Sequence, residues 1–166
     1  ATWNQDKLKE INALLKGLDV EVFFLTNFKN APKVKENGKT LEENAEKKAV
    51  QVSKVLKKLA IADDSGLEIE ALGNKPGVYS ARFSGKGATY ASNNEKALRL
   101  LKNVPASKRK AVFRCVIAVA DKGKLVGIAE GKCYGKIGFE PQGRAGFGYD
   151  PIFIPSGYKK TFAQIG

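Results

Sequence analysis

Leu8, Ile11, Leu14, Leu15 and Leu18 fall on one side of a 3.6-residue repeat, which predicts an amphipathic helix over Gln5 to Leu18 with Asn4 as its N-cap. The apolar run "DVEVFFL" (Asp19 to Leu25) reads as a strand, and "NFKNAPKVKENG" after it as a polar loop punctuated by Pro and Gly. A second helix is expected from Leu41 to about Leu59. Thr40 and Glu43 give it the T-x-x-E capping box, and Leu41, Ala45, Ala49, Val52, Val55, Leu56 and Leu59 form its apolar face. Lys48 falls inside that face, with Asn44 at its edge.

Beyond it, "AIAD" and "LEIEAL" read as strand segments separated by an acidic turn at Asp63-Asp64-Ser65-Gly66. A third helix is expected from about Asn93 to Lys102. "KAVFRCVIAVAD" and "KLVGIAEGKCYGKI" read as two long antiparallel strands joined at Lys122-Gly123. A glycine-rich loop, "GRAGFGYDPIFIPSGY", follows. Helices alternate with strands and no repeat is visible, so the pattern predicts one α/β domain over residues 1–166 with a mixed sheet.

Composition adds further constraints. Apolar residues at 43% and charged residues at 28% are those of an ordinary globular chain. No apolar run approaches the ~20 residues of a bilayer span, so the expectation is a cytoplasmic protein with no membrane partner. Cys115 and Cys133 are expected as reduced thiols. Twenty-nine Lys and Arg against 17 acids give +12, which favours an anionic partner. The chain has no histidine, so within it a His-ligated metal or a His-based nucleophilic dyad is excluded.

The candidate chemistry follows from the charge. Gly38-Lys39-Thr40 resembles the end of a phosphate loop, but G-x-x-x-x-G-K-S/T needs a glycine where Lys33 stands. The start of the first helix, with Thr2, Asn4 and Lys7, could hold a phosphate on its free N–H groups or be an ordinary cap. Lys48 needs a carboxylate or an opening, because a lone ammonium on an apolar face is costly. Asp63, Asp64 and Glu43 offer the hard oxygens that Mg2+ takes alongside waters and substrate phosphates, and an acid there could accept a proton from an attacking water. Glu43 could instead serve its capping box alone. On chemistry alone, metal-assisted phosphate cleavage and a non-catalytic anion-binding module both remain open.

Four segments in order carry a more specific signal. "ATWNQDKLKEI", "GKTLEENAEKKA", "ADDSGLEIEALGNKPGVYSARFSG" and "GFGYDPIFIPSGYKKTFAQI" resemble the motifs of the inosine triphosphate pyrophosphatase family through nearly the whole chain. The resemblance implies an elongated two-lobed α/β fold with a long mixed sheet and a substrate cleft between the lobes. It implies hydrolysis of non-standard purine nucleoside triphosphates (ITP, dITP, XTP) to monophosphate and pyrophosphate. By motif position Thr2, Trp3, Asn4, Gln5, Asp6 and Lys7 would meet the triphosphate, together with Lys48 and Ser65. Glu43 and Asp64 would bind Mg2+, with Mn2+ as the alternative ion, and Asp64 would accept the proton. Phe147, Gly148, Tyr149 and Asp150 would line the base pocket, the Phe147 ring against the purine. A homodimer is implied too.

Trp3 departs from the pattern, since that family usually carries glycine or another small residue there. The resemblance also implies a short strand before Ala1, and a downstream lysine and a Ser-His-Arg segment after Gly166. Two rival functions are a septum-inhibitor-type pyrophosphatase acting on pyrimidine or modified nucleotides, and a basic nucleic-acid-binding module using Tyr79, Arg82, Phe83, Lys86 and Tyr90. Nucleic acid is the less favoured partner.

Overall fold

The computed structural model describes all 166 residues, the side chain of Gln5 excepted; the expected role of Gln5 at the triphosphate therefore lies outside the described residues. Helix α1 (Gln5–Leu15), helix α2 (Leu41–Leu56), strands β1 (Ala60–Ile69) and β2 (Lys75–Pro76), and helix α3 (Tyr90–Leu100) come first. Strands β3 (Lys110–Asp121), β4 (Lys124–Ile137) and β5 (Phe153–Pro155) and helix α4 (Phe162–Ile165) complete the chain. The strands form one sheet in the order β2-β1-β3-β4-β5, giving the α/β class expected. The sheet is antiparallel where a mixed one was expected. The two-residue Lys122-Gly123 link explains the long β3–β4 pair, since a tight turn can join strands antiparallel and not parallel.

The chain divides into two compact units, Ala1–Asp64 with Val116–Ala129, and Ser65–Cys115 with Glu130–Gly166. In the first, Leu25, Val52 and Ala60 form a small apolar cluster flanked by Ala31, Val34 and Leu56. Ser53, buried in α2, accepts the Gly123 N–H at 2.9 Å and so fixes the β3–β4 turn. In the second, Leu67, Ile69, Leu101, Ile137, Ile152 and Phe153 lie in the larger core. Arg109 is buried there at 1% exposure, donating to the carbonyls of Leu101 (2.8 Å), Ile137 (3.0 Å) and Gly138. A buried guanidinium is tolerable because carbonyls take its donors.

Three further expectations are corrected. The predicted strand at Asp19 to Leu25 is absent: residues 20–24 are irregular and Leu25–Asn27 is a short 3-10 turn. Its apolar residues suit a strand, but a strand also needs a neighbour for its N–H and C=O groups, and among the described residues none of the five strands pairs with it. Helices α1 and α2 stop at Leu15 and Leu56, three residues short of expectation. Lys57, in the left-handed conformation at φ 51°, ends α2. Val55 and Leu59, expected on the apolar face, are exposed, as are Leu14 and Leu18. The acidic turn is no turn. Asp63, Asp64, Ser65 and Gly66 run through the middle of β1.

Candidate active site

That last correction explains how two adjacent aspartates coexist. Successive side chains in a strand point to opposite faces, and each acid meets its own lysine. Asp63, 4% exposed, pairs with Lys7 of α1. Asp64 takes the Lys48 Nζ at 3.3 Å and the Asn44 Nδ2 at 3.1 Å, both from α2. Residues 44 and 48 are one helical turn apart, so they present a single face to Asp64. Lys48 reaches on to Glu36 Oε1 at 2.8 Å, so the ammonium on the apolar face is held between two carboxylates.

Burial pushes the Asp64 carboxyl above the usual aspartate range, with Lys48 and the Asn44 amide opposing it. Burial disfavours the charged form of Lys48 as well, but Asp64 and Glu36 outweigh it and hold its pKa above the ordinary lysine value. The result is a carboxylate that takes up a proton more readily than an exposed one, beside a lysine that stays charged.

The start of α2 is built around the same contacts. Asn44 Oδ1 accepts the Gly38 N–H at 2.8 Å, and a Cβ on Gly38 would come within 2.7 Å of that oxygen. Glycine at 38 thus serves the Asn44 clasp, not a phosphate loop. Thr40 Oγ1 caps the Glu43 N–H at 3.1 Å, and the Glu43 Oε2 accepts from the Lys39 N–H at 2.6 Å. The capping role of Glu43 is present, one residue displaced from the expected Thr40 amide. Among the described residues no group of three or more His, Cys, Asp or Glu is placed to hold a metal ion.

At the start of α1, Asn4 is the predicted N-cap, its Oδ1 accepting from the N–H of Asp6 at 2.9 Å and of Lys7 at 3.4 Å. Thr2 Oγ1 accepts the Asn4 N–H at 3.1 Å, Asp6 lies 3.9 Å from Lys9, and Trp3 is exposed.

The second unit carries the glycine-rich loop. Phe147 and Asp150 clasp each other: Asp150 Oδ2 accepts the Phe147 N–H at 2.8 Å, and the Phe147 carbonyl accepts the Asp150 N–H at 3.1 Å. Gly146 has φ +71°, and a Cβ there would collide with the Asp150 carboxylate. The buried Tyr149 donates its hydroxyl to the Ser80 carbonyl at 2.8 Å, and burial raises its pKa. Asn94 Nδ2 donates to the Gly148 carbonyl at 3.0 Å. Burial raises the Asp150 carboxyl, the Phe147 N–H partly offsetting it. Ser65, half-buried, is the first residue of this unit.

Asn44, Glu36, Asp63, Ser80 and Asn94 are the residues that motif reasoning undervalued. Asn44 had a signal, four residues before the misplaced Lys48. Asn93-Asn94 had one too, a buried amide pair inside an amphipathic helix. Glu36 and Ser80 had none, because neither sits in a periodic pattern.

The pattern that defines the Ham1 family matches residues 1–166. A dITP/XTP pyrophosphatase of Desulfotalea psychrophila is 49% identical over 99% of this chain and 73% of its own length. One from Desulforamulus reducens is 47% identical over 99% and 82%. Among solved structures, a HAM1 protein from Coxiella burnetii superposes with a TM-score of 0.90 at 40% identity, covering 100% of this chain and 85% of its own.

Proposed function

Because the chain belongs to the Ham1 family, we propose that it is a nucleoside triphosphate pyrophosphatase, converting dITP, XTP and ITP to the monophosphate and pyrophosphate. Two relatives at 49% and 47% identity bear the name dITP/XTP pyrophosphatase. The observation that carries the reading onto this chain's own chemistry is the buried Asp64, raised by burial and flanked by Asn44 and Lys48.

In this reading Asp64 accepts the proton of a water that attacks the α-phosphorus, and the bond to the β-phosphate bridging oxygen breaks as pyrophosphate leaves. Lys48, already charged, and Lys7 offset the charge of the triphosphate. Thr2, Asn4 and the N–H groups of the α1 start contact its oxygens, with Ser65 as a further donor. Glu43 and Asp64 are the residues that would hold Mg2+ or Mn2+. Asn44, directly after Glu43, is anchored on Asp64, and two carboxylates with hard oxygens suit an ion that fills its other positions with water and phosphate. When bound, such an ion supplies Lewis-acid neutralisation of the phosphate oxygens.

The 146–150 loop takes the base, Phe147 by its ring and the others by backbone groups. A homodimer in the cytoplasm is part of the same proposal; the free thiols of Cys115 and Cys133 fit a reducing compartment. Among the described residues no helix is long and apolar enough to cross a membrane.

The test is incubation with ITP, dITP, XTP, GTP and ATP plus magnesium, with pyrophosphate and orthophosphate quantified separately. Pyrophosphate release from the first three, well above ATP, is the expected result. Orthophosphate alone, or no product from any purine, ends the proposal.

A further inference from the structure

The start of α3 is an aromatic position that neither the motifs nor the family resemblance assigns. Thr89 caps the helix in a reciprocal box with Ser92: the Ser92 N–H reaches Thr89 Oγ1 at 3.1 Å and the Thr89 N–H reaches Ser92 Oγ at 2.9 Å. Ser84 Oγ lies 2.8 Å from Ser92 Oγ, and the buried Asn93 donates to the carbonyls of Ser80 and Ala81 while accepting the Ser84 N–H at 2.7 Å. Tyr90, the first helical residue, therefore stands on fixed backbone.

One turn on, the buried Asn94 holds the Gly148 carbonyl, which fixes α3 against the glycine-rich loop; its Oδ1 is buried without a hydrogen-bond partner. The Tyr90 ring lies with its centroid 6.0 Å from that of Phe147, the planes inclined by 43°. Tyr90 is 45% exposed. That separation is within the range of an aromatic pair, and the tilt keeps the rings from stacking face to face; with Tyr90 exposed and Phe147 half-buried, the two rings make a corner.

We propose that Tyr90 is a specificity-determining residue of the base site: its ring forms a second aromatic wall, and the corner takes a fused, two-ring base. The proposal rests on the assignment of Phe147 to the purine. A purine has the width to lie on the Phe147 face while its other ring meets Tyr90; a single-ring base reaches one wall. Stacking tolerates many bases, so this wall selects for base size, and hydrogen bonding selects among purines. Tyr90 touches nothing that reacts, so its contribution appears in substrate binding and not in the chemical step.

The experiment compares wild type, Tyr90→Phe and Tyr90→Ala. The kcat and KM for ITP are measured with magnesium, along with the inhibition constant of inorganic triphosphate, which has no base; melting curves confirm the fold. For Tyr90→Ala the expected result is a KM for ITP raised about tenfold, the scale of one lost stacking contact. Its kcat and triphosphate inhibition constant should stay unchanged, and Tyr90→Phe should match wild type. An unchanged KM in Tyr90→Ala overturns the role of Tyr90 and leaves the pyrophosphatase reading intact. A KM and an inhibition constant that rise together overturn it equally, since the effect is then not on the base. A wild type that releases no pyrophosphate from any purine overturns the reading and this proposal with it.

Discussion

The Asp64 cluster of the first unit and the Phe147 loop of the second use opposite physics. Around Asp64 the side chains are ionised and paired, Asp63 with Lys7, and Lys48 between Asp64 and Glu36. Around Phe147 the polar work falls largely to backbone groups and neutral amides: Asn94 on the Gly148 carbonyl, Tyr149 on the Ser80 carbonyl. Asp150 is the exception, and its carboxylate is spent on the Phe147 N–H. Fixed charge recognises a polyphosphate whatever base it carries. A neutral, shaped surface recognises a base whatever phosphates follow it. Substitutions in the first unit should therefore act equally on all nucleotides, and substitutions in the second should change the ranking among them.

The largest effect is expected from Asp64→Asn. The amide keeps the shape and the Lys48 contact but cannot accept the proton, so kcat should fall by about 10^3, within the range of general-base removal. The fall should be the same for ITP and ATP, with circular dichroism unchanged. A base-dependent loss in a pyrophosphate-release assay would erase the division. Next comes Lys48→Ala. It leaves Asp64 and Glu36 facing each other without their shared cation, and breaking a buried pair from one side costs ~3 kcal/mol. The melting temperature should drop, and binding of inorganic triphosphate should weaken as much as binding of ITP. Loss confined to ITP would place Lys48 with the base instead.

These charged residues were also the easiest to find. Lys48 stood out because it broke an apolar helical face, and the adjacent aspartates because like charges repel. What the sequence concealed was geometry. "ADDSG" carries turn-forming residues, and local propensity pointed to a bend; pairing of β1 within the sheet overrode it. The long strands β3 and β4 were legible to the residue, since their apolar patterning and the Lys-Gly link agree. The segment at Asp19 to Leu25 has strand composition without a strand, because pairing is not written in the segment itself. The base loop was legible through its glycines, but the amides that hold it lie more than fifty residues earlier in the chain, where no local signal connects them.

Gly146→Ala is the corresponding probe of the loop. Its φ of +71° strains any side chain, and the new Cβ would meet the Asp150 carboxylate that holds Phe147. The left-handed conformation alone costs a non-glycine residue ~1–2 kcal/mol. A KM for ITP raised about tenfold, with inorganic triphosphate inhibition unaffected, is expected. Equal weakening of both would show that loop and phosphate recognition are not separable.

The smallest effect distinguishes the two regions by pH. Asp150 has its carboxyl raised from 3.8 by burial, with only the Phe147 N–H opposing the shift. An acid whose folded pKa exceeds its unfolded one binds its proton more tightly when folded, so stability declines as pH rises through the interval between the two values. Asp150→Asn cannot ionise, yet its Oδ1 still accepts the Phe147 N–H. The variant should gain stability relative to wild type as pH rises above 3.8, and the gain should level off once Asp150 is ionised in both states. Urea midpoints taken from pH ~3.5 to ~6.5 measure the difference. Asp64 shifts in the same direction, so the comparison is made between variant and wild type, where its contribution cancels. A difference that stays flat across that interval would mean Asp150 is as well solvated as an exposed acid, and the loop would lose its claim to be desolvated.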